Sequence, residues 1–187
     1  MDIRAILLAA GSGSRFGGGK LLAPLADGVP VGTASWKNLS AAIEETLVVV
    51  RSTDTEAGDL FRAAGAKVVK CADAHAGMSH SLITGLEATA HADGWVIALG
   101  DMPFILPETI MKVTNAIERG ALIAMPSYQG TRGHPVGLSN RLLPELLMIK
   151  GDEGARDVVR RYAGECELIE CDDAGVLRDI DTKDDLA

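Results

Sequence analysis

Short apolar runs alternate along this chain with longer segments whose apolar residues recur at helical spacing. The runs are too short for helices and rich in β-branched residues, which is typical of buried strands. We predict strands at residues 3–8, 46–51, 67–70, 95–99, 121–125, 136–138 and 166–171. The intervening patterns predict helices at residues 33–43, 55–64, 79–91, 107–119, 141–148 and 153–162. Such alternation predicts an α/β fold, a Rossmann-like three-layer sandwich in which helices cover both faces of a mostly parallel sheet.

Length and charge limit the organisation and the partners of the chain. Its 187 residues predict a single domain over residues 1–187. No apolar run approaches the ~20 residues of a membrane span, and the N-terminus lacks the features of a signal peptide, so we expect a cytoplasmic protein with no membrane partner. The net charge of −8 argues against a nucleic-acid partner. An anionic ligand must therefore be held by locally placed cations.

A glycine-rich loop follows the first predicted strand, where residues 7–20 are LLAAGSGSRFGGGK. Glycines allow tight turns in which several backbone N–H groups converge on an anion, and Arg15 and Lys20 add full positive charge. We therefore predict a site for the phosphates of a nucleoside triphosphate. The alternative is a mobile glycine-rich surface loop without a ligand.

Two better-known phosphate loops are excluded by this sequence. A P-loop requires a glycine at the position of Ser14 and a serine or threonine at that of Leu21. The dinucleotide-binding fingerprint requires a glycine at the position of Phe16. The hydroxyl that holds magnesium in a P-loop is thus missing, and a carboxylate elsewhere would have to take that role.

Asp101 is the first candidate for that carboxylate. It follows the fourth predicted strand within the segment GDMP, residues 100–103. Ligands of open α/β sheets bind beyond the carboxyl ends of the strands, and Mg²⁺ prefers oxygen ligands. The alternative is a plain turn, for which this composition is equally suited.

Asp181 is the second candidate, within the segment DIDT at residues 179–182. Thr182 and Asp185 have the spacing of a capping box for a terminal helix. A carboxylate just before such a cap can still point into a site, so both roles stay open for Asp181.

The motifs of the chain, taken in order, resemble those of the molybdenum cofactor nucleotidyltransferases, and most closely their cytidylyltransferase branch. The resemblance covers residues 6–186 and rests on LAAGSGSRFGxxK, GMSHSL, GDMP, GHPV, GDEGAR and DIDT. It implies a fold of the nucleotide-diphospho-sugar transferase type. It also implies Mg²⁺-dependent transfer of CMP from CTP to the phosphate of molybdopterin, with release of pyrophosphate. Transfer with GTP or to a sugar or other phosphorylated acceptor, and a non-catalytic nucleotide-binding protein that serves a molybdoenzyme, remain alternatives.

The resemblance also implies roles for individual residues on the nucleotide side. Lys20, Arg15 and Asp101 would be catalytic, and Asp101 and Asp181 would hold the metal. The nucleotide would be bound by Leu8, Ala9, Ala10, Gly11, Gly13, Gly77, Ser79 and Ser81. Ala10 favours CTP, because guanylyltransferases of the family tend to have glycine there. His80 departs from the family, which usually has a smaller residue, and would either crowd the pocket or point away from it.

On the acceptor side, the resemblance implies that His134 and Arg156 contact the pterin phosphate. The alternatives are a packed loop residue for His134 and a solvated helix face for Arg156. Asp152 is predicted to cap the helix that carries Arg156.

Overall fold

The protein is described by a computed structural model that covers residues 1–11 and 13–186. In this part of the chain, eight strands form one sheet in the order β3-β2-β1-β4-β7-β5, with β6 and β8 both paired to β5. The strands are Ile3–Ala9 (β1), Thr46–Arg51 (β2), Lys67–Cys71 (β3), Gly94–Leu99 (β4), Ile123–Tyr128 (β5), Thr131–Arg132 (β6), Val136–Ser139 (β7) and Cys166–Glu170 (β8). The pairs β1–β2, β1–β4, β2–β3 and β5–β8 are parallel, whereas β7 is antiparallel to β4 and β5. The prediction of a mostly parallel sheet is confirmed.

Helices cover both faces of this sheet. They are Val31–Ala42 (α1), Thr55–Ala63 (α2), Met78–Ala88 (α3), Pro107–Glu118 (α4), Leu143–Leu146 (α5) and Arg156–Arg161 (α6). Side chains of β1 alternate between two core clusters, because successive residues of a strand point to opposite faces. Leu7 packs in the cluster that includes α1, α2 and α4, and Ile6 packs in the cluster that includes α3, α5 and α6. The three-layer sandwich is thus confirmed.

The last two helices differ from the prediction. The pattern at 141–148 forms a 3₁₀ turn, Asn140–Leu142, and the four-residue α5, and the pattern at 153–162 forms only α6. Gly154 has a φ of 55°, which an α-helix cannot contain, so α6 begins after it. Ala155 is the residue before α6, and no side chain caps this helix. The prediction that Asp152 caps it is therefore wrong.

The C-terminal segment returns to the carboxyl edge of the sheet and brings the DIDT motif next to Asp101. The N–H of Ile180 donates to the carbonyl of Asp101 at 2.8 Å, and the N–H of His134 donates to the carbonyl of Val176 at 2.9 Å. The buried Asp173 carboxylate accepts from the N–H groups of Leu106 at 2.9 Å and Gly175 at 3.0 Å. These bonds fix where Asp181 lies relative to β4.

The terminal helix predicted from Thr182 and Asp185 is a 3₁₀ turn, Lys183–Leu186. The Asp185 carboxylate accepts from the N–H of Thr182 at 2.6 Å and the N–H of Asp181 at 3.0 Å. Thr182 Oγ1 donates to the same carboxylate at 2.9 Å rather than accepting from the Asp185 N–H. One half of the capping box therefore forms. It anchors the backbone of Asp181 and leaves the Asp181 carboxylate for other partners.

No helix within residues 1–11 and 13–186 is long and apolar enough to cross a membrane.

Candidate active site at the carboxyl edge of the sheet

A cleft of about 590 Å³ lies at the carboxyl edge of the parallel strands. Strand order explains its position, because β3, β2, β1 and β4 are neighbours and all end at this edge. The cleft is lined by Leu8, Ala9, Ala10, Gly11, Gly13, Arg15, Gly19, Lys20, Leu21, Leu22, Arg51, Asp54, Ala74, His75, Gly77, Met78, Ser81, Leu99, Asp101 and Asp152.

The glycine-rich loop forms one wall of the cleft. Ser12 in this loop lies outside the described residues. Gly13 has a φ of 57°, and Gly17, Gly18 and Gly19 have φ values of 90°, 93° and 65°. Residues with a side chain rarely adopt such angles, which explains the cluster of glycines. Phe16 anchors the loop, because its buried ring packs with Val31 and Ile180. The aromatic residue that excludes the dinucleotide fingerprint is thus the residue that attaches the loop to α1 and to the C-terminal segment.

Four charged side chains meet where this loop faces the end of β4. Lys20 Nζ lies 2.6 Å from Asp101 Oδ2 and 4.0 Å from Asp181 Oδ1. Arg15 forms an ion pair with Asp181 on the outer side of the cluster. The Lys20 side chain is only 13% exposed, whereas that of Arg15 is 77% exposed. An ammonium group therefore stands between two carboxylates that are 80 residues apart in the chain.

The same two carboxylates fit a magnesium ion by their chemistry. Both offer hard oxygen ligands, and the position between them is already occupied by a positive charge. No group of three or more His, Cys, Asp or Glu side chains suited to a metal occurs in the part of the chain that the structure describes. A metal held here would take its remaining ligands from water and from phosphate oxygens, as Mg²⁺ commonly does in nucleotide-binding proteins.

Most of the residues predicted to bind the nucleotide line this cleft, namely Leu8, Ala9, Ala10, Gly11, Gly13, Gly77 and Ser81. Ser79 does not. It is fully buried, and its hydroxyl has no hydrogen-bond partner among the described residues. Its N–H donates to the carbonyl of Gly151 at 3.1 Å, so its backbone joins α3 to the loop before α6. The prediction that Ser79 contacts the nucleotide is not supported by this position.

Gly77 is the contact point between this loop and the beginning of α3. Its φ is 125°, and a Cβ atom there would lie 2.4 Å from the carbonyl oxygen of Gly151. Such a distance is too short for any contact between a carbon and an oxygen atom, so only glycine fits. The glycine of GMSHSL therefore allows the backbone of Gly151 to approach the beginning of α3, next to Asp152, which lines the cleft.

We expect that replacing Gly77 by alanine will lower the free energy of unfolding by about 1–3 kcal/mol, because the new methyl group would overlap backbone atoms. Urea denaturation followed by circular dichroism would measure the change. Gly164→Ala is the matched control, since its Cβ would meet nothing within 4 Å and its φ is not positive. Equal stability of the two variants would contradict the tight contact.

His80 lies on α3 but does not line the cleft, so the structure favours the interpretation that it points away from the nucleotide. Its Nδ1 atom is buried and has no partner among the described residues. The departure from the family at this position therefore leaves the cleft unobstructed.

His134 and Arg156, the predicted acceptor residues, lie outside the lining of this cleft. Burial lowers the pKa of His134, and the nearby charge of Arg156 acts in the same direction, while Asp101 and Asp179 oppose them. The His134 imidazole is thus neutral near pH 7, and its Nδ1 atom has no partner among the described residues. Arg156 is exposed at the start of α6. The two residues therefore lie outside the cleft lining but near enough for the charges of Asp101 and Arg156 to act on His134.

Several cleft residues have no predicted role, and the sequence signal for one of them was available. Arg51 is the last residue of β2, so the rule that singles out Asp101 at the end of β4 also applies to it. Asp54 is the N-cap of α2, His75 lies in the 3₁₀ turn Ala74–Ala76, and Met78 is the first residue of α3. Asp152, predicted as a helix cap, lines the cleft instead.

A parallel sheet with a cationic glycine loop and strand-end carboxylates at one edge defines a class of α/β nucleotide-binding proteins. Comparison with known proteins narrows this class. The chain belongs to the family of MobA-like NTP transferase domains, whose model matches residues 5–166. It is a nucleotidyltransferase, and as such it binds nucleoside triphosphates.

Three relatives align with nearly the whole chain. Purine catabolism protein PucB of Bacillus subtilis is 31% identical over 191 residues, which are 96% of this chain and 92% of PucB. Nicotine blue oxidoreductase of Paenarthrobacter nicotinovorans is 28% identical over 190 residues, and the alignment covers 96% of this chain and 92% of the oxidoreductase. Molybdenum cofactor cytidylyltransferase of Escherichia coli is 25% identical, and the alignment covers 98% of this chain and 93% of the cytidylyltransferase. The resemblance found in the motifs is therefore confirmed, but it extends to proteins with different names.

Solved structures support the same fold. The manganese complex of Rv0371C from Mycobacterium tuberculosis has a TM-score of 0.82 and 26% identity, and covers 99% of this chain and 96% of that one. A nucleotidyl transferase from Methanothermobacter thermautotrophicus has a TM-score of 0.81 and 26% identity, and covers 98% and 94%. A 4-diphosphocytidyl-2C-methyl-D-erythritol synthase from Anaerococcus prevotii, at 17% identity, covers 99% and 92% with a TM-score of 0.77 and shows the fold alone. The nucleotide-diphospho-sugar transferase type of fold is confirmed.

Proposed function

We propose that this protein transfers CMP from CTP to the phosphate of molybdopterin in a Mg²⁺-dependent reaction that releases pyrophosphate. The observation that carries the proposal is the position of Lys20 between Asp101 and Asp181, at the mouth of a glycine loop suited to a triphosphate. The likeness to the cytidylyltransferase of Escherichia coli supports the choice of reaction.

The proposed chemistry needs no nucleophile from the protein. A phosphate oxygen of the acceptor forms a new bond to the α-phosphorus of CTP, and the bond between the α-phosphorus and the bridging oxygen breaks. Pyrophosphate leaves with that bonding electron pair, and no proton has to move. The difficulty lies in bringing two polyanions together and in stabilising the charge that develops on the phosphoryl oxygens.

The residues of the cleft are suited to that task. The loop N–H groups and Lys20 would bind the triphosphate, with Lys20 near the α-phosphate. The exposed Arg15 would leave its ion pair with Asp181 to close over the phosphates from outside. Asp101 and Asp181 would hold the metal, which supplies charge neutralisation at the phosphate oxygens when bound. Because Lys20 is paired with both carboxylates without a ligand, it must exchange these partners for phosphate oxygens when the nucleotide binds.

The choice of CTP rests on Ala10, and the choice of acceptor rests on His134 and Arg156. Ala10 is buried and lines the cleft, so its methyl group would lie under the base. His134 is near enough to Asp101 and Arg156 for their charges to affect its pKa, so a phosphate held by Arg156 would approach the metal side of the cleft. An uncharged imidazole there adds a hydrogen-bonding group without adding charge.

A second candidate is nucleotidyl transfer to another phosphorylated acceptor, or nucleotide binding in an accessory role for a molybdoenzyme. The observation that favours it is the 31% identity with PucB, a protein named for purine catabolism and not for cofactor synthesis. The cleft would bind the nucleotide in both candidate functions. The two functions differ in the acceptor of the nucleotidyl group.

Pyrophosphate release from CTP and GTP, each with and without molybdopterin, tests the proposal. We expect release that requires CTP, molybdopterin and Mg²⁺ together, and that stops when EDTA is added. Turnover with CTP and a sugar phosphate, but not with molybdopterin, would favour the second candidate. Binding of CTP without turnover on any acceptor would contradict the enzymatic reaction.

A further inference from the structure

Arg51 is a cation of the cleft that the proposed chemistry does not use. It ends β2, and its Nη2 donates to the carbonyl of Ala10 at 3.2 Å. This is its one side-chain hydrogen bond within residues 1–11 and 13–186, and no ion pair in that part of the chain involves it. The nearest acid in sequence, Asp54, accepts instead from the N–H of Ala57 at 3.0 Å as the cap of α2. The guanidinium group therefore retains unused N–H donors that face the cleft.

The strand order determines which part of a nucleotide Arg51 faces. Asp101 and Lys20 lie where β4 ends, on one side of β1, whereas Arg51 and His75 lie on the other side, after β2 and β3. Adjacent strands are about 4.8 Å apart, so the cleft extends over about 14 Å from the end of β4 to the end of β3. That length accommodates an extended nucleotide with its phosphates at the Lys20 end. The base then lies at the Arg51 end.

We propose that Arg51 determines the base specificity of the nucleotide site, and this inference rests on the proposed nucleotidyl transfer. A guanidinium group only donates hydrogen bonds and presents two N–H groups side by side. It therefore selects a base edge with two adjacent acceptors. Cytosine has such a pair in O2 and N3, and guanine has one in O6 and N7. In uracil an N–H donor separates the two carbonyl oxygens, and in adenine an amino donor stands next to N7.

The specificity that follows is for CTP and GTP over UTP and ATP. The carbonyl of Ala10 holds one end of the guanidinium group, so its remaining donors have a fixed direction. The same contact joins Arg51 to the residue whose methyl group would lie under the base. Ala10 would then distinguish CTP from GTP. Arg51 would disfavour uracil and adenine, because neither base presents two adjacent acceptors.

Equilibrium binding of the four triphosphates by isothermal titration calorimetry tests this role. We expect the wild-type protein to prefer CTP over UTP by roughly tenfold to hundredfold, which is the usual discrimination of a bidentate arginine contact. Arg51→Ala should bring the two affinities within about threefold. Arg51→Lys should retain the charge without restoring the preference, because a single ammonium cannot pair with two acceptors. Arg62→Ala is the control, since Arg62 is exposed on α2 and pairs with Asp59.

Inorganic tripolyphosphate serves as the probe for the phosphate end of the cleft. Its affinity should be equal in wild type and Arg51→Ala. A loss for tripolyphosphate as large as that for CTP would overturn the inference, because Arg51 would then bind phosphate or support the loop. An unchanged ratio of CTP to UTP in Arg51→Ala would overturn it as well. If wild type binds none of the four triphosphates, the proposed function itself fails, which is a different outcome.

Discussion

Asp101→Asn should reduce turnover by about 10²–10³-fold while the variant remains folded. The amide has the shape of the carboxylate but lacks its charge, so it neither binds a divalent cation well nor forms an ion pair with Lys20. Because Asp101 Oδ2 is 2.6 Å from Lys20 Nζ, the substitution changes the proposed metal site and the lysine proposed to bind phosphate together. Steady-state release of pyrophosphate at saturating Mg²⁺ and CTP measures the effect.

The melting temperature of Asp101→Asn distinguishes a catalytic role of Asp101 from a purely structural role in the GDMP turn. Lys20 keeps Asp181 at 4.0 Å, so the ammonium group is not left without a counter-charge. We therefore expect a small change in Tm. Asp172→Asn, at an exposed position of the segment before DIDT, is the matched control and should retain full activity. A large fall in Tm together with a proportionate loss of activity would support the plain turn interpretation of GDMP.

Lys20→Met is the second substitution with a large expected effect. It retains the length of the aliphatic stem and removes the charge, so turnover should again fall by about 10²–10³-fold. CTP should lose more affinity than CMP, because the ammonium group faces the phosphates. Calorimetric titration with each nucleotide gives this comparison, and Lys37→Met on the exposed face of α1 is the control. Equal losses for CTP and CMP would contradict the assigned position of Lys20.

The same variant tests the exchange of partners at Lys20. Without the ammonium group, Asp101 and Asp181 face each other with no positive charge between them. In the absence of nucleotide, Mn²⁺ should therefore bind Lys20→Met more tightly than wild type, as measured by electron paramagnetic resonance of the free ion. Weaker binding of Mn²⁺ would indicate that Lys20 supports the metal site rather than competing for it.

Local pattern predicted the layers of this fold because strand and helix periodicities are properties of short segments. The alternation of Ile6 and Leu7 between two cores follows directly from the twofold repeat of a strand. The same reasoning failed where backbone conformation interrupts the pattern. Gly154, with its positive φ, divides what the apolar spacing from Glu153 presents as one helix, and Asp152 therefore caps nothing.

Some residues of the candidate site could likewise be found from the sequence, whereas others required the structure. Lys20 and Asp101 could be singled out from the sequence, because Lys20 closes the glycine-rich loop that follows β1 and Asp101 lies two residues after the end of β4. The sequence could not show that Ser79 lies outside the cleft lining, because the helical register that buries its hydroxyl depends on how α3 packs against β1 and the Gly151 loop. Arg51 had no predicted role, although it ends β2 at the same sheet edge and the strand-end rule applied to it as well.

By itself the sequence determined the alternation of strands and helices and singled out the glycine-rich loop and Asp101 as candidate parts of a site, since each of these depends on residues adjacent in the chain. Tertiary structure alone decided that Asp181 and Asp101, 80 residues apart, lie on either side of Lys20, and that Arg51 faces the opposite end of the cleft. The physical reason is that strand order is set by packing of the whole sheet. Distances between residues far apart in the chain follow from that order and not from any local pattern.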